Sequence, residues 1–516
     1  MLDDLDRIGP VLAMAGVAAL LLIWDFLPEG RPLPAARGKA LMIFALAGPA
    51  LSAAWAFSLL TRDQHIASVA SSSSTEHLLG GTGAFSFANS VVLDDFSLFF
   101  WFLFAGIAAA IILASEEHAK SFGDNEGEFY ALLLFASAAM ILLAASRDLI
   151  LIFVALELTS ISQYILASLQ RDERSTEAGV KYLLMGAVSS AVILYGMAYL
   201  FGLTGTTRLV APEGELSIAT AIAERGDEMR AGLLLASTML IAGLSFKMAV
   251  IPFQMWVPDV YQGSPTPVAA FLSVASKAAA FAVVLRIFYE GMPDQVISES
   301  WGDVFAIVAV VSMTAGNLLA MVQTNIKRLL GYSSIAQAGY ILVGLAAISA
   351  SDGGLSLGAS GVLVFIGAYA VTNLGAFIVV IAISARSGND EISSYAGLAK
   401  RSPWLAGALG FALVSLTGIP PTAGFVAKLY IFNAAVESDL VWLVIIAVLN
   451  SVASAFYYLR IAGLLFTGEP SSNESVPTTN ALKLALMVAV AGILFVGVVP
   501  SPLMDAARDA AAVFSQ

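Results

Sequence analysis

Apolar runs long enough to cross a lipid bilayer follow one another along nearly the whole sequence. Because a crossing needs about 20 apolar residues, we place about fourteen spans, at residues 8–27, 39–60, 92–114, 128–146, 149–169, 178–203, 230–250, 266–289, 303–323, 329–350, 356–385, 403–435, 440–466 and 482–502. Only 12% of the 516 residues are charged, whereas a soluble protein carries about 25%. The pattern predicts an all-α polytopic membrane protein.

Composition excludes several classes of function. The net charge is −13 and no basic cluster appears, so we expect no nucleic-acid partner. Cysteine is absent, which excludes disulfides and cysteine-ligated zinc or iron–sulfur sites. The three histidines, His65, His77 and His118, fall in or near polar connections, and no metal or haem site is predicted. No nucleotide-binding fingerprint occurs in its required context.

The connections between the spans predict an orientation. The acidic N-terminus MLDDLDRIGP is unlike a secretory signal, so the first run is expected to be a retained span. Lysine and arginine favour the connections that are inner if the N-terminus lies outside, so both termini are predicted outside. The longest polar connections, 61–91 and 204–229, are then outer loops. Spans 356–385 and 403–435 exceed one crossing, which a tilt or a break explains.

Two short sequence motifs recur in the second half of the chain at a similar spacing. SISQ at residues 160–163 returns as SIAQ at 334–337, and Lys247 beside Pro252 returns as Lys428 after GIPPTAGF. An odd number of predicted spans separates the members of each pair, so the two copies would have opposite orientations in the membrane. Inverted repeats with broken helices are typical of secondary transporters.

Four ionisable residues lie within apolar runs: Glu157, Lys247, Lys277 and Lys428. A charge at mid-bilayer costs roughly 2.5–3.5 kcal/mol on insertion scales, so such residues mark candidate ion paths. Lys277 lies centrally in its run. For Lys247 and Lys428, the alternative is a side chain that reaches the interface, and for Glu157 it is solvation near a helix end.

A glutamate that moves relative to a buried lysine changes the lysine's proton affinity, as a pump step requires. No nucleophile–base pair or metal cluster competes with this series. The residues therefore predict a membrane subunit that translocates ions, with the proton as the favoured ion.

Other polar residues have less specific predictions. Asp259 is expected to cap a loop. The pairs Arg147–Asp148 and Lys327–Arg328 are predicted to be interfacial anchors. For a last group the sequence leaves two alternatives, hydration of a polar path or polar contacts between helices; its members are Gln254, Ser333, Gln337 and Tyr340.

Four long segments carry a family resemblance. They are LELTSISQYILASLQRDERSTEAGVKYLLMGAVSSA, FKMAVIPFQMWVPDVYQGSPTPVAAFLSVASKAAAF, QTNIKRLLGYSSIAQAGYILVGLAA and LTGIPPTAGFVAKLYIF. Together they resemble the antiporter-like proton-pumping subunits of respiratory complex I, and most closely the N-type subunits of bacterial NADH–quinone oxidoreductase. The similarity runs from about residue 90 to residue 466.

The resemblance implies fourteen transmembrane helices with two inverted five-helix repeats that contain broken helices. Their expected bounds are residues 1–127 for about three N-terminal helices, 128–302 and 303–466 for the two repeats, and 467–516 for the last helix and tail.

The resemblance also implies roles for the four ionisable residues. Glu157 matches the family's glutamate that pairs with the first channel lysine, which Lys247 matches. Lys277 matches the central lysine of the hydrophilic axis, and Lys428 the lysine on the second broken helix. Many members have histidine at Gln254, so this chain argues against a need for a titrating group there.

No cofactor is expected in this chain; the resemblance implies FMN, iron–sulfur clusters and quinone in partner subunits. Expected partners are the other membrane-arm subunits, in a bacterial inner membrane. Two alternatives remain open: a subunit of a multi-subunit cation/proton antiporter, and a subunit of a ferredoxin–plastoquinone or hydrogenase-type complex.

Overall fold

The computed structural model describes residues 2–26, 34–70, 84–86, 89–212, 214–292, 295–349, 355–470 and 474–514. Most of the SSSST and GGTG connection, with His77, lies outside these residues, as does the side chain of His65. The described residues are almost entirely helical, which confirms the predicted fold class.

The N-terminal third contains a helical layer and one small hairpin. Asp94 caps α4 by accepting a hydrogen bond from the Ser97 backbone N–H. The strands pair antiparallel, with Ala84 opposite Leu93. The elements are α1 (Leu2–Arg7), α2 (Gly9–Phe26), α3 (Pro34–Ala70), β1 (Ala84–Ser86), β2 (Val91–Leu93), α4 (Asp95–Ala114), α5 (Glu116–Ala119), a 3₁₀ segment (Lys120–Asn125) and α6 (Glu126–Ala144).

The middle of the chain holds the helices that carry Glu157, Lys247 and Lys277. Helix α8 packs along α9, and α7 packs against both α6 and α8. The elements are α7 (Leu149–Ala167), α8 (Glu173–Thr204), α9 (Ile218–Met248), α10 (Trp256–Gly263), α11 (Thr266–Phe271), a π-helical segment (Leu272–Ser276), α12 (Lys277–Val284) and a second π-helical segment (Leu285–Glu290).

The remainder contains a second helical layer that packs, through α15, on α11 and on the π-helical segment Leu272–Ser276. The elements are α13 (Gln295–Met321), α14 (Ile326–Ser349), α15 (Leu355–Ser387), a 3₁₀ turn (Ile392–Tyr395), α16 (Leu398–Arg401), α17 (Pro403–Thr417), α18 (Ala423–Glu437), α19 (Val441–Thr467), α20 (Asn480–Val498), α21 (Ser501–Ala511) and a 3₁₀ turn (Ala512–Phe514).

Within the described part of the chain, twelve helices are long and apolar enough to cross a membrane. Two further predicted spans differ: Gly9–Asp25 is apolar but shorter, and the run 403–435 is divided into two short helices. The count of fourteen and the inverted repeats therefore stay predictions.

Two helix breaks lie beside lysines. The first follows Met248, where Ala249 has a φ of +60°. The second separates α17 from α18, where Gly418 has a φ of +91°. A break therefore explains the long 403–435 run, whereas the other long run, 356–385, forms the unbroken helix α15.

The structure corrects the prediction for the connection 204–229. Its second half is helical, because α9 begins at Ile218, and Ser217 and Thr220 form a capping box there. The first turns of α9 expose polar side chains, and this composition resembles that of a loop.

Candidate functional site

Lys277 lies on a segment that is buried on every side. The run Thr266–Glu290 is wholly enclosed by other helices, and the Lys277 side chain is 3% exposed. Its ammonium donates to both the hydroxyl and the carbonyl oxygen of Ser334 on α14. One turn earlier, Ser273 accepts a hydrogen bond of 2.6 Å from Asn373 on α15. The interior position predicted for Lys277 is what the structure shows.

Lys247 lies in the last turn of α9, just before the first helix break. Its side chain is 6% exposed, so it does not reach an interface. Its Nζ donates a 2.6 Å hydrogen bond to Ser160 Oγ on α7. The rings of Phe246 and Tyr164 lie 5.6 and 5.8 Å from the ammonium, within the range of a cation–π contact.

Glu157 is only partly buried on α7 and accepts a hydrogen bond from Ser190 on α8. No ion pair within 4 Å joins Glu157 to Lys247, although both are fully described; Lys247 instead contacts Ser160, which lies three residues from Glu157 on the same helix. The two groups are neighbours without direct contact.

Lys428 on α18 turns back to the end of α17 and is 5% exposed. Its Nζ donates to the carbonyl oxygens of Leu416 and Thr417, at 3.2 and 2.8 Å, and to Ser451 Oγ on α19, at 2.9 Å. The last carbonyls of a helix carry partial negative charge and attract cations. The break thus supplies the acceptors that a carboxylate would otherwise provide.

The three lysines share one arrangement. Each is buried, and each donates to a serine hydroxyl on another helix, namely Ser160 for Lys247, Ser334 for Lys277 and Ser451 for Lys428. Neutral oxygen atoms can bind either an ammonium or an amine, and the lysine side chain titrates readily when buried. Each site can therefore hold or release a proton.

Between Lys247 and Lys277 lies a polar side chain that sequence reasoning missed. Gln163 Oε1 accepts hydrogen bonds from Tyr182 on α8, at 2.9 Å, and from Ser276, at 3.3 Å. Ser276 directly precedes Lys277, and Gln163 is one turn from Ser160 on α7. The sequence does contain a signal for Gln163, because this residue belongs to the repeated SISQ motif.

Between Lys277 and Lys428 the polar contacts are denser. Ser333 bonds the Tyr458 hydroxyl on α19, and Gln337 Nε2 donates to that hydroxyl at 3.4 Å and to the Leu416 carbonyl at 3.3 Å. Tyr340 stacks its ring under Lys428, 4.8 Å from the ammonium. These contacts join helices, as one of the two alternatives predicts, and the hydration of a polar path stays a prediction.

Gln254 lies in the first break and is half-buried. Its buried Oε1 has no hydrogen-bond partner among the described residues.

The prediction of an interfacial anchor is wrong for Arg147. Four buried charges form one cluster at the ends of α4, α6 and the Lys277 segment: Asp94, Arg147, Arg286 and Glu290, which we call the ion cluster. Arg286 bonds Asp94 at 2.8 Å and Glu290 at 2.8 Å, and Arg147 bonds Asp94 at 3.3 Å and pairs with Glu290. Arg286 is 0% exposed.

The other predicted anchor, Lys327–Arg328, also makes specific contacts. Buried Lys327 pairs with Asp390 at 2.9 Å and donates to the Ser264 carbonyl at 3.1 Å. Arg328 pairs with Asp259 at 2.6 Å. Asp259 lies in helix α10 rather than capping a loop, and also pairs with Lys181 at 3.1 Å. Burial alone would raise the pKa of Asp259, but Arg328 and Lys181 outweigh burial and lower it.

His118 lies in the short helix α5 and is buried, and neither ring nitrogen has a partner among the described residues. In the same part of the chain, no group of three or more His, Cys, Asp or Glu side chains is arranged to hold a metal ion.

The sequence of this chain matches a known protein family and several relatives within it. The profile of the family described as NADH:quinone oxidoreductase/Mrp antiporter, TM, matches residues 146–454. The chain is 43% identical to NADH-quinone oxidoreductase subunit N of Dehalococcoides mccartyi over 427 residues, which cover 81% of this chain and 86% of that protein. It is also 43% identical to subunit N of Trichlorobacter lovleyi, over 83% and 86% of the two chains.

Solved structures give a similar result. A chain of respiratory complex I from Thermus thermophilus with bound aureothin matches with a TM-score of 0.74 and 31% identity, over 96% of this chain and 98% of that one. A chain of the Mrp complex from Dietzia sp. DQ12-45-1b has a TM-score of 0.81 but 20% identity, over 99% and 97%. The second likeness is one of fold.

Proposed function

We propose that this chain, which belongs to the NADH:quinone oxidoreductase/Mrp antiporter family of transmembrane proteins, is a proton-translocating membrane-arm subunit of an NADH–quinone oxidoreductase. The relatives above 40% identity are named subunit N of that enzyme. The antiporter likeness, at 20% identity, concerns the fold and gives the alternative no comparable support.

One observation carries the proposal: three buried lysines follow one another through the bundle, each bonded to neutral oxygen atoms. Two of them adjoin helix breaks, at Ala249 and Gly418. A break frees backbone carbonyls that water or a cation can contact inside a protein. Protons are proposed to pass along Lys247, Lys277 and Lys428, while Glu157 modulates the proton affinity of Lys247 through its charge.

The chain is proposed to contribute no redox group itself. FMN, iron–sulfur clusters and quinone are assigned to partner subunits, and the other membrane-arm subunits are the expected neighbours. The whole complex would act as a translocase in a bacterial inner membrane, with both termini of this chain outside. The inverted repeats 128–302 and 303–466 are retained as part of the proposal, supported by a lysine beside a break in each.

The test uses Lys247→Met and Glu157→Gln in the complete complex, reconstituted in vesicles. NADH-driven acidification is expected to fall about a hundredfold or more, since a positioned acid–base group contributes about 10²–10⁴ in rate. Lys120→Met is the matched control, because Lys120 is half exposed and pairs only with nearby Glu117 in the described structure.

Assembly is checked on native gels, and the purified complex is expected to show flavin and iron–sulfur absorption. Full pumping by assembled Lys247→Met would contradict the proposal. A colourless complex that exchanges sodium for protons would move the chain to the antiporters.

A further inference from the structure

A small internal cavity lies beside Lys428, which we call the Lys428 cavity. Its volume is about 10 Å³, and its polar lining includes Gln337, Tyr369, Thr372, Ser415 and Lys428. A single water needs about 10–15 Å³ of such space and two to four polar partners. The cavity therefore has the size and the chemistry for one water molecule.

Tyr369 on α15 is the side chain in this lining that lacks a hydrogen bond. Its side chain is 6% exposed, and its hydroxyl has no partner among the described residues. Leaving a buried hydroxyl unpaired costs about 1–3 kcal/mol of desolvation, so such a group in a well-packed protein requires an explanation. A water in the Lys428 cavity would satisfy it.

The same hydroxyl also lies next to the acceptor of Lys277. The Ser334 side chain, which binds the Lys277 ammonium, is also a neighbour of the Tyr369 side chain. One turn further along α15, Asn373 bonds Ser273 on the Lys277 segment. This face of α15 therefore spans the distance between the two lysine sites.

Tyr458 is another buried tyrosine in this region, and its hydroxyl has hydrogen-bond partners. It already bonds Ser333 and accepts from Gln337, and it does not line the Lys428 cavity. Its contacts fix the position of Gln337. Of these two hydroxyls, only that of Tyr369 lacks a hydrogen-bond partner among the described residues.

We propose that one water molecule occupies the Lys428 cavity and that the Tyr369 hydroxyl, through this water, transfers protons between Lys277 and Lys428. The inference rests on the proposed function and adds a residue and a water site to it.

The transfer is balanced at every atom. The Lys277 ammonium gives a proton to the Ser334 oxygen, which passes its own hydroxyl proton to the Tyr369 oxygen. Tyr369 passes its hydroxyl proton to the water, and the water passes one of its protons to the neutral Lys428 amine. Each oxygen gains and loses one proton. The net change is a neutral Lys277 and a charged Lys428.

The test is Tyr369→Phe in the complete complex, which removes only the hydroxyl. Proton flux per NADH oxidised is expected to fall about tenfold, less than for loss of a lysine, because a second water can partly replace the hydroxyl. Proton transfer should then limit the rate, so the ratio of flux in H₂O to flux in D₂O should rise. Tyr395→Phe is the control, since Tyr395 is also buried with an unpartnered hydroxyl among the described residues but lies outside the cavity lining.

A second variant tests the water itself. Ala427→Val adds two methyl groups to the cavity wall and is expected to lower flux and raise the isotope ratio as Tyr369→Phe does. Unchanged flux in both variants, or an equal loss in H₂O and D₂O, would overturn the inference.

Lys247→Met measured alongside separates the two claims. If Lys247→Met loses pumping while Tyr369→Phe retains it, the relay is wrong and the proposed function stands. If assembled Lys247→Met pumps normally, the proposed function fails and the relay fails with it.

Discussion

Replacing one charge of the ion cluster should destabilise the protein strongly. Asp94→Asn is the informative change, because asparagine keeps the helix cap on α4 while it removes the negative charge that Arg286 and Arg147 contact at 2.8 and 3.3 Å. The four side chains are 0–6% exposed. Burial alone would raise the pKa of Asp94, but the two arginines hold it below its ordinary value, so the carboxylate is charged.

The size of the effect follows from the charge balance. The cluster holds two arginines and two carboxylates, and its net charge is zero. Asp94→Asn leaves one buried positive charge without compensation, which costs about 3–5 kcal/mol. The double variant Asp94→Asn with Arg286→Met leaves Arg147 and Glu290 as a neutral pair. It should therefore cost less than the two single changes added together, by up to about 3 kcal/mol.

Because large membrane complexes unfold irreversibly, the measurement is a half-life. The remaining assembled complex is followed on native gels during incubation at one elevated temperature. A change of 1.4 kcal/mol corresponds to about a tenfold change in rate. Asp94→Asn should therefore shorten the half-life about a hundredfold or more. The control is Asp505→Asn, whose pair with Arg508 is more than half exposed and is worth about 0–1 kcal/mol. Equal half-lives for Asp94→Asn and Asp505→Asn would refute the reasoning, as would additive losses in the double variant.

Two further predictions concern the second break and the orientation. Gly418→Ala should lower pumping with assembly retained, because Gly418 has a φ of +91° and a Cβ there would lie 2.9 Å from Lys428 Cδ; Gly407→Ala, with open space around it, should pump normally, and equal pumping by both variants would contradict this. Since the chain has no cysteine, single exposed cysteines report orientation: Ala223→Cys should react with an impermeant maleimide from outside intact cells, whereas Ser121→Cys should not. The reverse pattern would refute the proposed topology.

The helices and the buried lysines could be predicted because both depend on local composition. An apolar run of about 20 residues has few alternatives to a buried or membrane-spanning helix, and a lysine within such a run must find polar partners. The break at Gly418 also had a local signal, namely the GIPP motif within an apolar run that is longer than one crossing requires.

The ion cluster could not be predicted in the same way. Asp94, Arg147 and Glu290 each stand near the end of an apolar run, where a solvated position is the ordinary expectation. Only the tertiary arrangement brings the ends of these runs together, next to the β1–β2 hairpin and the 3₁₀ turn Ala512–Phe514. Arg286 and Glu290 had one usable signal, since they are four residues apart, as an ion pair on one helix face would be. Tyr369 had no such signal, because its proposed role depends on a cavity lined by four helices, α14, α15, α17 and α18.

The choice between arginine and lysine divides the buried cations by role. Arginine stays protonated in proteins, so each guanidinium of the ion cluster requires a permanent carboxylate, and the structure supplies Glu290 for Arg147 and Asp94 for Arg286. Lysine can lose its proton, and a carboxylate fixed against it would then be left as an uncompensated buried charge. Lys247, Lys277 and Lys428 contact serine hydroxyls or backbone carbonyls instead. These oxygen groups remain neutral whether the lysine is charged or not. Fixed charges therefore hold helix ends together in the ion cluster, whereas a change of charge on any of the three lysines would leave no directly paired carboxylate uncompensated.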